Sequence, residues 1–478
     1  MIAIPLLSKN SFFLFLVTSV LLVSVSFYNA VNPLLVFALL IWLLLFVFSI
    51  DNISHNIALF CFLTSFFVFL LGREVCFAYF GLELYYTNLM VYNDFTFLSL
   101  SVSLFGIGIG YILWNSEKKK NINNHNFERN FYLKKRIKFL KKIFCFSYIF
   151  LMILLIGQII VVQTVGYLGS YTAFIEEAFI PWWISYIAAF CPVVFCLLLA
   201  SMPSKREVLF PILMFEFYGI LSLLTGKRFN FVGVTMLILI YLVTRNREEQ
   251  VWISKSLKRF ILFSLPFIIL FLGAYDHIRI GKEFEFTGFF DSILHFLDSQ
   301  GGSINVIKRV KFYESMLKDM GFCSLSNVKS VLFENLIARH LTGVVVFEAN
   351  SVEHALFGSS LAHRLSYYEY GQHYLLGGGV GSSYIAELYH DFGYIGVFVG
   401  SILYGYIIRC VGKLKTFNFF KGGILLYIMF RLLLAPRGSF DGFVSGIFSL
   451  NSLIGLGFIF LVDRFMKKRF LYRKEKTI

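Results

Sequence analysis

The stretch SFFLFLVTSVLLVSVSFYNAVNPLLVFALLIWLLLFVFSI, Ser11 to Ile50, decides the fold class. Its first part, Ser11 to Phe27, has the length of a signal peptide's apolar core, but no small-residue cleavage site follows and a second apolar run begins at Leu34. The pair therefore reads as two successive membrane spans joined by a tight turn.

Outward from this pair the pattern repeats. Apolar runs of span length occur at about 11–27, 33–50, 56–72, 95–114, 143–163, 182–202, 208–224, 229–244, 260–275, 384–408, 422–436 and 443–463. Of the 478 residues 58% are hydrophobic and only 15% charged, against roughly 25% charged in a water-soluble domain. The mean hydropathy is +0.74. Such a chain cannot cover itself in water, so the expectation is an all-α polytopic membrane protein with about 12 transmembrane helices.

The net charge of +15 could point to nucleic acid, but in a membrane protein the placement of Lys and Arg reports topology first. Between the fourth and fifth runs, Lys118, Lys119, Lys120, Arg129, Lys134, Lys135, Arg136, Lys138, Lys141 and Lys142 face only Glu117 and Glu128. That connection reads as cytoplasmic. The connections with Lys205 and Arg206, Arg245 to Arg259, Arg409 to Lys421, and the tail from Arg464 to Lys476 are basic in the same way. Both termini are thus expected in the cytoplasm. The cation-poor connections at 28–32, 73–94, 164–181, 225–228 and 437–442 are expected on the other face, periplasmic if the cell is Gram-negative.

One connection differs in kind. Residues 276–383 carry nine basic and eleven acidic side chains and leave the span pattern. By parity they form a large periplasmic loop. Phe289 to Leu297 has apolar residues at helical spacing and Val306 to Leu317 continues in that style, which predicts short helices lying on the membrane surface. The expected organisation is transmembrane helices one to nine over 1–275, the loop over 276–383, helices ten to twelve over 384–463, and a basic cytoplasmic tail over 464–478.

Cations on the outer side break the charge bias. They are Arg73, Arg228, Arg279, Arg339, Arg364 and Arg437, with Arg431 inside a span. Each could snorkel to a lipid headgroup; several converging could grip a phosphate bidentately. Arg228 sits in the hairpin Leu224-Thr225-Gly226-Lys227-Arg228, and Arg437 in a similar turn where it could instead pair with Asp441. The stretch Leu361 to Tyr374 gathers His363, Arg364, Tyr367, Tyr368, Glu369, His373 and Tyr374. These supply the stacking faces and hydrogen-bonding groups of a sugar site, or simply a tyrosine-rich surface. Gly377 to Ser383 follows, and its glycines could bind an anion at a helix start or act as a hinge; a nucleotide P-loop is excluded because the GxxxxGK[ST] arrangement is missing. Glu387 and Asp391 share one face of the tenth span beside His390, and Glu216 lies in the seventh; intramembrane acids are functional candidates or partners of an arginine. Gly396 and Gly400 suggest a close-packing face.

The seven cysteines, Cys61, Cys76, Cys145, Cys191, Cys196, Cys323 and Cys410, show no CxxC spacing and no metal framework. Cys76 and Cys323 both fall outside, where they could pair or remain free thiols.

The segment GGGVGSSYIAELYHDFGYIGVFVGSILYGYI, Gly377 to Ile407, resembles the one that follows the large external loop in O-antigen polysaccharide polymerases of the Wzy type. The Leu224 to Arg228 turn is similar to that family's Gly-x-Arg turn, and the overall plan agrees. The resemblance implies a membrane glycosyltransferase of the bacterial inner membrane; no cofactor or metal is expected, since arginines can stabilise a departing diphosphate and no DxD-like signal is present. It would transfer a growing chain from undecaprenyl diphosphate to a newly flipped oligosaccharide repeat unit. Expected partners are the lipid-linked repeat unit, the bilayer, a chain-length regulator and a flippase, and no nucleic acid. On this reading Arg228, Arg364, Arg437 and Arg339 stabilise the departing diphosphate, and Tyr367, Tyr368 and Tyr374 contact sugar. The base is His363 or His373, with Glu387 or Asp391 as base or orienter. Two other classes share the architecture, a polysaccharide flippase or transporter and an O-antigen ligase. Against transport, the longest basic loop does not divide two six-span halves and no internal repeat is visible.

Overall fold

A computed structural model describes residues 7–82, 87–113, 126–177, 180–246, 251–279, 288–414 and 417–475, and every regular element among them is helical. The opening elements are α1 (Lys9–Tyr28), α2 (Pro33–Asp51), α3 (Ile53–Phe66) and α4 (Gly72–Phe80), the last two joined by a π-helical turn, Phe67–Leu71. Then come α5 (Asn93–Leu113), α6 (Asn126–Glu177), α7 (Trp182–Ala200), α8 (Lys205–Ser222), α9 (Arg228–Arg245) and α10 (Lys255–Arg279). Eight short helices fill the long connection: α11 (Phe289–Gly301), α12 (Ile304–Phe312), α13 (Glu314–Leu317), α14 (Ser326–Phe333), α15 (Leu336–Thr342), α16 (Val352–Phe357), α17 (Leu361–Tyr370) and α18 (Gln372–Leu375). The chain closes with α19 (Tyr384–Val411), α20 (Phe419–Leu432), α21 (Val444–Phe448) and α22 (Leu450–Glu475).

Nine helices among the described residues are long and apolar enough to cross a membrane, and they coincide with nine of the twelve apolar runs. The other three runs look different in the structure. Within α10 the apolar stretch is Pro266–Tyr275. The run at 422–436 is divided between α20, which has 14 residues, and a short 3-10 turn, Ala435–Arg437. The run at 443–463 breaks at Ser449 between α21 and α22, and α22 continues into Arg464, Lys467 and Lys468.

The basic connection between the fourth and fifth runs is also more ordered than a loop. Lys118 to Lys120 lie outside the described residues, as do Lys282 and Lys476, but from Asn126 onward the chain is already helix α6. Arg136 on this extension pairs with Asp463 of α22 at 2.7 Å and lies over the Tyr132 and Phe419 rings. These contacts tie to α22 and Phe419 a cationic segment that the sequence reads as a connection.

The connections sort into two groups. Those rich in cations touch each other: Arg245 donates to the Pro203 carbonyl, Lys205 to that of Val251, and Arg136 reaches Asp463. Those poor in cations do the same: Asn32 donates to Asp94, Arg73 pairs with Asp298, and Arg437 donates to Gln300. These contacts join cation-rich connections to one another and cation-poor ones to one another.

At its centre α5 and α19 make the most extensive helix pair. The glycines that permit it are Gly106, Gly110 and Gly405; a Cβ on any of them would strike the partner's backbone at Phe398, Ile402 or Ile107. The expected small-residue pair Gly396 and Gly400 faces elsewhere. A Cβ on Gly396 would meet its own helix, and one on Gly400 would meet Leu388 and Phe440.

The long connection is docked onto the bundle. Helix α11 packs on α4, and Arg73 pairs with Asp298 at 2.9 Å. Helix α12 does not lie on a membrane surface as its sequence suggests, because every residue from Ile304 to Val310 is buried. Lys308 pairs there with Glu74 at 2.7 Å, both side chains 2% exposed. Removing one partner of such a pair strands a buried charge at a cost of about 3–5 kcal/mol.

Candidate functional site

The site lies where the short helices meet the start of α19. At Gly393 the backbone of α19 turns left-handed, with φ of 62°, a conformation glycine adopts without Cβ strain. The kink separates Tyr384–Phe392 from the rest of the helix and frees it to follow the overlying loops.

Three carboxylates stitch those loops together. Glu387 accepts from the Phe440 backbone N–H at 2.8 Å and the Ser382 hydroxyl at 2.6 Å. Asp441 accepts from the Val328 N–H at 2.9 Å and the Asn327 amide at 2.7 Å, capping the start of α14. Asp391 accepts from the Cys323 and Ser324 N–H groups at 3.1 and 2.8 Å and from the Ser324 hydroxyl at 2.6 Å. Its Oδ1 also lies 2.7 Å from His390 Nδ1, while His390 Nε2 is 3.2 Å from the Leu317 carbonyl. The buried Cys323 thiol lies 3.2 Å from Asp391 Oδ1. Burial and the nearby Asp391 and Glu387 carboxylates push that thiol well up, so on its own it stays protonated.

Two clefts open beside this knot and share Gly321 and Phe322 as a common wall. The first, about 440 Å³, is lined by Glu314, Leu317, Lys318, Tyr389, His390 and Asp391 among others. The second, about 460 Å³, has Asp319, Lys329 and Arg364 at polar positions and Leu325, Leu332, Phe333 and Phe357 along its apolar side. Arg364 on α17 is buried; it donates through Nε to the Ala355 carbonyl at 2.9 Å and through Nη2 to that of Leu356, which holds α16 in place.

The family described as O-antigen polysaccharide polymerase Wzy matches residues 10–469. The chain belongs to this family. It is an O-antigen polymerase, and its many apolar helices are those of a multi-pass membrane protein. No curated protein and no solved structure matches it.

Within the polymerase, the residues singled out in the sequence fall into separate groups. Arg228, buried at the start of α9, donates to the Leu272 carbonyl at 2.7 Å. Arg437 is exposed and donates to Gln300 at 3.1 Å; the pairing considered for it falls elsewhere, since Asp441 caps α14. Arg339 is exposed on α15 and donates to the Glu334 carbonyl. Of the four arginines only Arg364 lines either cleft.

The aromatic group does assemble. His363 Nδ1 lies 2.9 Å from the Tyr374 hydroxyl, Tyr367 packs edge-on to Tyr374, and His363 stacks on His354 with centroids 4.1 Å apart. Desolvation, reinforced by His354, pushes His363 down to about 4. Tyr374 is buried, Tyr368 donates to the Met316 carbonyl, and His373 is exposed beside Tyr370. Glu216 accepts from Thr235 at 2.6 Å. Cys76 and Cys323 are both free thiols.

Sequence reasoning missed Asp319, Lys318 and Lys329. They sit in an unremarkable polar stretch, and only the fold of α13 and α14 brings them to the cleft rims. The glycine and phenylalanine of the shared wall, Gly321-Phe322, carried no signal beyond a break in helical periodicity.

Proposed function

We propose that the polymerase transfers the growing O-antigen chain from undecaprenyl diphosphate to an incoming lipid-linked repeat unit, as a glycosyltransferase on the periplasmic face of the inner membrane. Its twelve apolar runs would then be spans with both termini in the cytoplasm. The observation that carries this reading is the pair of clefts sharing one wall, with Arg364, Lys329 and Asp319 in one and an apolar side beside them.

The chemistry fits those groups. A departing lipid diphosphate needs its charge stabilised, which Arg364 and Lys329 supply, while Leu332, Phe333 and Phe357 suit the adjoining isoprenoid. The attacking sugar hydroxyl needs a base in the same cleft, and Asp319 is the carboxylate there. His363 is less suited, because its low proton affinity and its bond to Tyr374 fit a packed aromatic support for α16 and α17. Glu387 and Asp391 are engaged by backbone amides, which fits an orienting role, and His373 remains an alternative base at the edge. Arg228, Arg437 and Arg339 stand on separate elements, each bonded locally, and would meet lipid headgroup phosphates singly. In the cell, a flippase would deliver the units and a chain-length regulator would act on the product.

Deletion of the gene followed by complementation tests the reading on lipopolysaccharide gels. Asp319→Asn and Lys329→Ala, both exposed and neither a side-chain partner of the three carboxylates, are expected to leave a single repeat unit on lipid A at normal protein abundance. A ligase would leave none, and a flippase would leave undecaprenyl-linked units inside. Full ladders from both variants would remove the second cleft from the reaction.

A further inference from the structure

Cys323, His390 and Asp391 bring three different ligand atoms to one point. Sγ is 3.5 Å from His390 Nδ1 and 3.2 Å from Asp391 Oδ1, and Nδ1 is 2.7 Å from Oδ1. All three lie within 4.8 Å of one another. Bonds of about 2.0–2.3 Å to a tetrahedral zinc ion separate such ligands by about 3.3–3.6 Å. The Sγ–Nδ1 edge already has that spacing, and the two edges at Oδ1, which are hydrogen bonds, are shorter by less than about 1 Å.

The surroundings match a metal site's outer shell. A ligating histidine usually donates its other ring N–H to a carbonyl, and His390 Nε2 faces the Leu317 carbonyl at 3.2 Å. A ligating carboxylate is usually fixed through its second oxygen, and Asp391 Oδ2 accepts from both the N–H and the hydroxyl of Ser324. Two of the ligands, His390 and Asp391, line the first cleft, which leaves a side open for a fourth ligand.

We infer that Cys323, His390 and Asp391 form a binding site for a zinc-class divalent cation, which locks the 321–324 segment to α19 and so fixes the wall between the two clefts. Binding releases two protons, one from the thiol and one from between His390 and Asp391. A thiolate and a carboxylate then neutralise the cation, with imidazole as the uncharged ligand. Asp391 is the one group shared with the polymerase reading, so the test reads metal retention and not polymerisation, and its outcome is separate from that of the transfer reaction.

Metal retention by the full-length protein in detergent provides the test. After incubation with zinc and desalting, the protein is expected to hold one equivalent, and with cobalt it is expected to show a thiolate-to-cobalt charge-transfer band. Cys323→Ser should abolish the band and Cys76→Ser should leave it intact. Ser324→Ala, which keeps all three ligands, should weaken binding about 10–100-fold. Sub-stoichiometric zinc in the unmodified protein would overturn the site whatever the variants do, and so would a cobalt band that survives Cys323→Ser.

Discussion

His363 shows how a residue's surroundings decide its role. Packed against His354 and bonded to Tyr374, it is held neutral, with its proton affinity down at about 4 from the ordinary 6.5. A histidine of this kind favours the folded state fully above pH 6.5, where it is neutral in both folded and unfolded chains. That contribution is lost as pH falls from 6.5 through about 4, because the unfolded chain binds the proton first. Thermal unfolding of the detergent-solubilised protein should therefore fall over that window, and His363→Gln should flatten the dependence; an unchanged slope in the variant would refute the assignment. The sequence marked His363, Tyr367 and Tyr374 as a cluster because they crowd one short stretch. It could not mark Cys323 as a neighbour of Asp391, since 67 residues separate His390 from Cys323 and no spacing rule spans a tertiary contact.

At the scale of elements, the apolar periodicity of spans was legible and their packing was not. Nine runs became helices of crossing length, because a long apolar segment has few other ways to satisfy its backbone in lipid. Which glycines make an interface depends on the facing helix, and Gly106, Gly110 and Gly405 proved to be the ones at the α5–α19 crossing. Gly110→Leu should force the helices apart, and overpacking of that kind costs typically about 1–3 kcal/mol or more. The measurable result is lower abundance and a lower melting temperature, whereas Gly457→Leu, at an open position, should leave both unchanged. Equal melting temperatures for the two would show that the crossing is not close. Helix α12 was misjudged for a related reason: Lys308 and Arg309 suggest an exposed face, but Glu74 and Glu369 neutralise them inside the protein.

For the molecule as a whole, the break in the apolar pattern after α10 marked the long connection. What it could not give was that this connection folds back as eight helices, clamped by Arg73–Asp298 and Lys308–Glu74 and stitched by Glu387, Asp391 and Asp441. The docking turns a loop into a lid over α19 and creates the paired clefts. Arginines chosen for their expected position outside the membrane were thereby distributed among several elements, and of the four assigned to the diphosphate, Arg364 lines a cleft. In this scheme the second cleft is where the sugar hydroxyl is activated and the diphosphate departs. Its most direct test is the polymerisation rate of purified polymerase on a synthetic undecaprenyl-diphosphate-linked repeat unit, with Asp319→Asn as the variant. The variant is expected to fold, with turnover lower by about 100-fold or more and little change in KM; turnover equal to that of the unmodified protein would rule the cleft out as the reaction site.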